Sequence, residues 1–493
     1  MRHKFVIFRR FIMSALLLML MVSVAAIFGG AAFAQAPAQV APKPPVITTT
    51  YIRAGKLLDV HSGRVLSDMV IVVHGQEIDR VTRAAEISIP AGANVIDLSN
   101  AFVLPGLIDA HEHIFLTGED HGRYDEQLLK ESYQYRTIEA IKNAWRDLDA
   151  GFTSMRDCET EGAMFSDVDV REAIDRGIIA GPRLWVATRA MSVTGSYPLL
   201  GYSPEVTVPT GVQIVDGPDE ARKAVREQIK YGADFIKVYG TGSSRFAEHG
   251  KMVSTPTFTL DELKAIVEEA HRWGRKVACH AYGDPGLRNC VDAGVDSIEH
   301  GLDLSDYDIR EMKTKGIWLV PTLYVYVLSE PEDLRESDGM ASRASIHEVS
   351  FKKALAAGIK IAFGTDAGPF PHGTQAKEFE YMVQYGMTPL EAIQAATLNA
   401  ARVMDPYHPM SLSAAESTGE EPRNSGYANP VFETRYWSKS VGAIDPGKFA
   451  DIIAVAGNPL DDIKQLERVK FVMKGGEVYK NDFVTLPVDK LQQ

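Results

Sequence analysis

Cysteine is scarce: Cys158, Cys279 and Cys290 are the only three in a chain of 493 residues. Three thiols cannot staple a fold of this length, so at most one bridge can form and stability must come from a buried core. Their spacing matches no metal-binding knuckle. Positive charge is also in deficit. The 52 Lys and Arg stand against 65 Asp and Glu, for a formal charge of −13. An acidic balance of that size argues against nucleic acid or an anionic membrane as a partner. No glycine-rich phosphate loop follows the first strand of the α/β region, and the zinc-protease string H-E-x-x-H is absent. Long apolar runs are missing too, with one exception.

That exception lies at the N-terminus. Arg2, Lys4, Arg9 and Arg10 precede an apolar stretch from Phe11 to Phe28, and Ala32-Phe33-Ala34 follows. A basic start, an apolar middle and an A-x-A site predict a secretory signal peptide over residues 1–34, cleaved near Ala34. An uncleaved membrane anchor is the competing reading. Cleavage removes those four positive charges and takes the formal charge from −13 to −17. The expectation is a secreted or periplasmic protein with no stable membrane partner after cleavage, either monomeric or a homo-oligomer.

Residues 35–48 are rich in Pro and Ala and read as a linker. Short alternating patterns follow over residues 49–102 and return over 441–485, in ADIIAVAG, VKFVMKGG and EVYKND. Chain ends of compact domains tend to lie close together, so the two sets predict one small β-sandwich built from both. Between them, over residues 103–404, eight strand-like runs alternate with helical patterns. The runs are FVLPGLIDAHEH, GFTSMRD, RLWVATRA, DFIKVYG, KVACHAYG, DSIEHG, WLVPTL and KIAFGTDA. Eight βα units over that length predict an α/β fold of the (β/α)8 TIM-barrel type. Residues 405–440 are polar, rich in Ser, Glu, Pro and Asn, and read as a surface insertion.

In such a barrel the chemistry sits at the carboxyl ends of the strands. Four of the 13 histidines stand at such ends. His111 and His113 are two apart, which puts both on one face of a strand. Lys237 lies in the fourth run, His280 ends the fifth, His300 the sixth and Asp366 the eighth. Imidazoles and a carboxylate arriving from separate strands suit a metal, Zn²⁺ by ligand type. A buried lysine can be nucleophilic and add CO₂, giving a carbamate able to bridge two metals. Plainer readings exist for each: a salt-bridged lysine, a core histidine, a helix-capping aspartate. Tyr282 shares the strand face of His280 and is a candidate donor to a substrate carbonyl. Arg288 is a candidate clamp for a substrate carboxylate. Glu112 points away from its flanking histidines and reads as structural. His249 and His372 read as loop histidines with no spacing to promote them.

The set His111, His113, Lys237, His280, His300 and Asp366, with the strings LPGLIDAHEH, GADFIKV, SIEHG, GTDAG and PLEAIQAATLNAARVM, resembles the amidohydrolase superfamily. The likeness is to its imidazolonepropionase-like branch, which includes Xaa-Pro-type dipeptidases and ochratoxin-hydrolysing amidases. The ending VGAIDPGKFADIIAVAGNPLDDI resembles that family's returning β segment. The resemblance implies two divalent ions, most simply Zn²⁺. His111, His113 and Asp366 would hold one, His280 and His300 the other, with N6-carboxylysine at Lys237 bridging both. It implies hydrolysis of the amide bond of a small peptide-like substrate, a dipeptide or N-acyl amino acid. A hydroxide between the metals would attack, and Asp366 would move the proton. Two departures concern substrate contacts. The region after the third strand reads SVTGSYPLLGY where relatives carry a Gly-Gly-His string, and Arg288 stands where some relatives have a histidine. The alternatives are a one-metal cyclic-amide hydrolase of the imidazolonepropionase type and a non-catalytic binding protein on the same barrel.

Overall fold

A computed structural model of the chain describes residues 48–117, 124–197, 199–246, 251–329, 342–407 and 437–484. The expected signal peptide, His249 and most of the polar insertion lie outside the described residues. Four strands open the described chain: β1 (Thr49–Asp59), β2 (Arg64–His74), β3 (Glu77–Arg83) and β4 (Asn94–Pro105). Their alternating pattern gives each an apolar face, and Ile52, Ile71, Ile78, Leu98 and Val103 are buried on it. Gly106 then turns the chain into β5 (Leu107–Glu112). A Cβ at Gly106 would stand 2.1 Å from Thr153 Oγ1, so this crossing admits only glycine.

β5, β6 (Phe152–Asp157) and β7 (Arg183–Val186) form a parallel sheet buried along its whole length. Continuous apolar burial is the mark of parallel strands covered on both faces. The short β8 (Met191–Ser192) and β9 (Gln213–Ile214) follow, then β10 (Ile236–Tyr239) and a hairpin of β11 (Thr241–Phe246) and β12 (Met252–Pro256). β13 (Val277–Ala281), β14 (Ser297–His300) and β15 (Trp318–Val320) complete a six-stranded parallel sheet in the order β15-β14-β13-β10-β8-β9. The helices between them start where the sequence supplies caps. Leu260–Arg272 begins at a Thr259/Glu262 capping box, and Asp306–Lys315 at a Ser305/Asp308 box.

Seven of the eight strand-like runs form named strands. The eighth, KIAFGTDA, makes only single bridges, Leu319↔Ile361 to one side and Glu112↔Ala367 to the other. Its extended run is interrupted where Gly364 passes tightly against Val320 and His111 and where Asp366 takes a φ of 61°. Across the opposite seam, Asp234 N donates to Val186 O at 2.8 Å. The parallel sheets therefore adjoin without merging into one closed sheet.

The chain returns through β16 (Ile452–Val455), β17 (Phe471–Lys474) and β18 (Glu477–Asn481). Strands from both ends of the described chain share one sheet. Its seven strands follow one hydrogen-bonded order, β18-β17-β16-β4-β1-β2-β3. The cause is the length of β4: it pairs with β1 along most of its course and with β16 through Phe102–Pro105. Arg183 fastens this sheet to β7. Its Nε and terminal amino group donate to the Asp451 carboxylate at 3.1 and 3.2 Å, and its guanidinium lies 3.8 Å over the Phe449 ring.

Glu378 fastens the far side. Its buried carboxylate accepts from Leu323 N at 2.8 Å and Tyr324 N at 2.7 Å, pinning the segment after β15. Burial pushes this carboxyl up from 4.5 to about 8. Between those values the folded state holds a proton that the unfolded chain releases, so stability falls as pH rises through the window. The contribution is at most about 1.4 kcal/mol per pH unit. Urea unfolding of Glu378→Gln from pH 5 to 8 should show a shallower decline than the unsubstituted protein. An unchanged slope would remove Glu378 as its source.

Candidate active site

The six positions singled out as ligands converge. His111 Nε2 lies 3.2 Å from Lys237 Nζ and 3.5 Å from Asp366 Oδ1. His113 Nε2 is 3.2 Å from the same aspartate oxygen. The His300 ring is 4.9 Å from that of His111 and 4.5 Å from that of His280. They arrive from β5, β10, β13, β14 and the bridged segment after β15.

Backbone geometry explains how two of them get there. Consecutive residues of an extended strand face opposite sides, yet Glu299 and His300 both face inward. His300 achieves this with a φ of 71°, in the left-handed region. Asp366 at 61° and Thr322 at 52° do the same at the adjoining strand ends. Each such non-glycine residue costs on the order of 1–3 kcal/mol, and such residues cluster at functional sites.

Neighbouring side chains orient the rings. His111 Nδ1 donates to Glu299 Oε2 at 2.6 Å, which turns Nε2 toward Lys237 and Asp366. Glu299 also accepts from Arg156 at 2.7 Å and from the Ser297 hydroxyl. Burial opposes its ionisation, but the Arg156 guanidinium and His111 hold its carboxyl at about 2. His300 Nδ1 is bonded to Thr322 Oγ1 at 2.7 Å, and His113 Nδ1 faces Glu161 at 3.6 Å. Burial, reinforced by Lys237, pushes His280 well below the ordinary histidine range, and burial with His280 does the same to His300. Both are neutral imidazoles. Asp366 stays ionised: burial works against it, but bonds from His111 and His113 hold it well below the ordinary carboxylate range. For His111, burial is outweighed by Cys158 and the Asp366 bond, which pull it well above its usual value. A metal would compete with that proton for Nε2. Imidazole lone pairs around an ionised carboxylate, with their outer nitrogens already engaged, fit a divalent metal centre.

A cavity of about 740 Å³ opens onto His113, Lys237, His280, His300 and Asp366. Tyr282 lines it, with its ring 4.4 Å from that of His280. Arg288 does not. It lies on helix Gly286–Ala293, bonds back to Asp284 at 2.6 Å and covers the Tyr307 ring. Asp284 sits in the turn just before the helix, within reach of the first-turn Arg288. The arginine on the cavity wall is instead Arg343, which bonds Ser244 Oγ and O at 3.0 Å each. Nothing in its local sequence marks it.

The lining also carries Tyr124, Glu161, Tyr197 and Tyr239, with Glu159 behind them. Glu161 accepts from Tyr124 at 2.7 Å and Tyr197 at 2.6 Å, while Tyr239 donates to Glu159. Tyr197 comes from SVTGSYPLLGY, the string that departs from the family pattern. Glu159 and Glu161 carry a signal that sequence reasoning passed over: they are two apart directly after β6, the spacing that singled out His111 and His113. The one possible disulfide is formed, Cys279 to Cys290, tying β13 just before His280 to the next helix, while Cys158 stays free and buried.

Known proteins resemble this chain in sequence and fold. The Amidohydrolase family profile matches residues 102–408. Ochratoxinase of Aspergillus niger is 32% identical over 405 residues, covering 77% of this chain and 75% of its own. Imidazolonepropionase of Micrococcus luteus is 22% identical over 370 residues, 69% of this chain and 83% of its own. Among solved structures, a Xaa-Pro dipeptidase with bound methionine in the active site aligns with a TM-score of 0.72 and 33% identity, over 88% of this chain and all of its own. With the profile spanning most of the chain and the predicted ligand positions gathered at one cavity, the protein belongs to the amidohydrolase family, hydrolases that act on carbon–nitrogen bonds.

Proposed function

We propose a binuclear metal-dependent amidohydrolase, built on a (β/α)8 barrel, that cleaves the amide bond of a dipeptide or N-acyl amino acid. The observation that carries this is the convergence of His111, His113, Lys237, His280, His300 and Asp366. The alternation of parallel strands and helices, with single bridges on both sides of KIAFGTDA, supports the barrel. The nearness of Lys237 to His111 supports a carboxylated lysine between two Zn²⁺ ions and disfavours the one-metal, cyclic-amide alternative. His111, His113 and Asp366 would hold one ion, His280 and His300 the other. When bound, the ions make water nucleophilic near neutral pH and polarise the scissile carbonyl.

The chain's own groups supply the rest. Asp366, ionised by its histidine bonds, takes the proton of the attacking water and delivers it to the departing nitrogen. Burial pushes the Tyr282 hydroxyl upward, so it stays protonated and can donate to the carbonyl oxygen. Arg343 supplies the carboxylate clamp first sought in Arg288. The bound methionine of the similar dipeptidase structure supports an amino acid with a free carboxylate at this site. The N-terminal pattern supports export to the periplasm or beyond.

The test is a panel of dipeptides and N-acyl amino acids, each with a matching C-terminal amide, assayed before and after exhaustive chelation. Hydrolysis should vanish with the metal and return with Zn²⁺; activity indifferent to metal removal would end the reading. Arg343→Ala should raise KM for free carboxylates about 10–100-fold, the worth of a charge-assisted hydrogen bond. It should leave the amides nearly unchanged. Equal effects on both would deny Arg343 the clamp.

A further inference from the structure

A second buried cluster lies across β5 from the cavity. The alternation that sends His111 and His113 inward sends Glu112 the other way. Its carboxylate is fully buried, and among the described residues neither oxygen has a hydrogen-bond partner. It faces Asp147, from helix Tyr133–Asp149, and His372, in the loop after Asp366. Asp157 and Asp109 add repulsion of the same sign.

His372 decides what belongs between them. Its Nε2 lies 3.0 Å from Leu116 O, which can only accept, so Nε2 carries the hydrogen. Nδ1 is then the nitrogen that takes either a second proton or a metal. It faces Asp147 Oδ2 at 2.9 Å and Glu112 Oε2 at 3.6 Å. The other Asp147 oxygen is engaged by Gly373 N at 3.0 Å and by the Gln375 side-chain amide. One nitrogen and two carboxylates thus converge, with their ligand atoms all within 4.8 Å of one another. A proton on Nδ1 would satisfy Asp147 and still leave both Glu112 oxygens buried without a partner. A divalent cation satisfies all three and neutralises both carboxylates. It also leaves Leu116 O, Gly373 N and Gln375 as the outer partners that hold metal ligands in place.

We infer that Glu112, Asp147 and His372 form a third metal site, structural rather than catalytic, for a divalent cation of the Zn²⁺ or Mn²⁺ class. It does not open onto the catalytic cavity, whose lining includes none of the three. His372 instead borders a separate cavity of about 520 Å³, with Trp145, Arg146 and Gly373. The site ties β5, which carries two of the candidate catalytic ligands, to the helix outside it and to the loop following Asp366.

Crystals of the unsubstituted protein, measured on both sides of the Zn and Mn absorption edges, should show an anomalous peak about 2.0–2.2 Å from the three ligand atoms. Elemental analysis should count three metals per chain, falling to two in Asp147→Asn and in His372→Gln. Both variants should melt at a lower temperature than the unsubstituted protein. Absence of a peak in the unsubstituted protein overturns the site whether or not the variants fold, and so does a count of two per chain with both cavity positions filled. A peak at this cluster in a protein that hydrolyses no amide would leave the site standing and overturn the catalytic reading alone.

Discussion

Asp366→Asn lowers kcat by about 10²–10⁴-fold, the usual worth of a positioned acid–base group. The amide cannot take a proton from water at neutral pH, and it cannot return one to a leaving nitrogen. The substitution keeps the shape of the side chain, and asparagine is among the residues that tolerate a positive φ, so the 61° backbone is not a confounding strain. The exchange also removes the charge that His111 and His113 share. Metal content must therefore be measured beside the rate. A variant that keeps its metals and loses kcat identifies the proton carrier; one that keeps both excludes Asp366 from the chemistry.

Asp451→Ala costs about 3–5 kcal/mol of stability, the penalty for removing one partner of a buried ion pair. Arg183 would lose both of its carboxylate bonds while its guanidinium stayed packed over Phe449. Gly475 N, 2.7 Å from the same carboxylate, would lose its acceptor too. Urea unfolding measures the loss directly, and a change under about 1 kcal/mol would contradict the estimate. The double variant Arg183→Met, Asp451→Ala should recover part of it, because no charge is then left buried alone.

Periodicity and residue type carried most of the candidate site. A spacing of two defines a strand face, so His111 and His113 could be paired from the sequence, and Glu112 could be sent to the other side. The carboxyl-end rule then gathered Lys237, His280, His300 and Asp366. Three things escaped it. Glu299 precedes His300 and should face away from it; only the positive φ of His300 lets both point inward. Arg288 and Arg343 are indistinguishable as letters, and a local bond to Asp284 is what turns Arg288 aside. His372 carried no spacing signal because its partners, Glu112 and Asp147, come from distant parts of the chain. The small domain shows the same limit. That both ends contribute strands was legible, but the single strand order depends on how β4 divides itself between β1 and β16.

That division has a consequence for biosynthesis. A ribosome delivers β1 to β4 first and β16 to β18 last, so the edge of β4 at Phe102–Pro105 waits unpaired through nearly the whole of translation. Contacts of such sequence separation form late and slowly. Until they form, Asp451 cannot reach Arg183, and the catalytic region has no brace on that side. The nascent chain therefore stays open and unlatched until its final strands emerge, and a truncation that removes β16 to β18 should leave a sticky intermediate rather than a smaller enzyme.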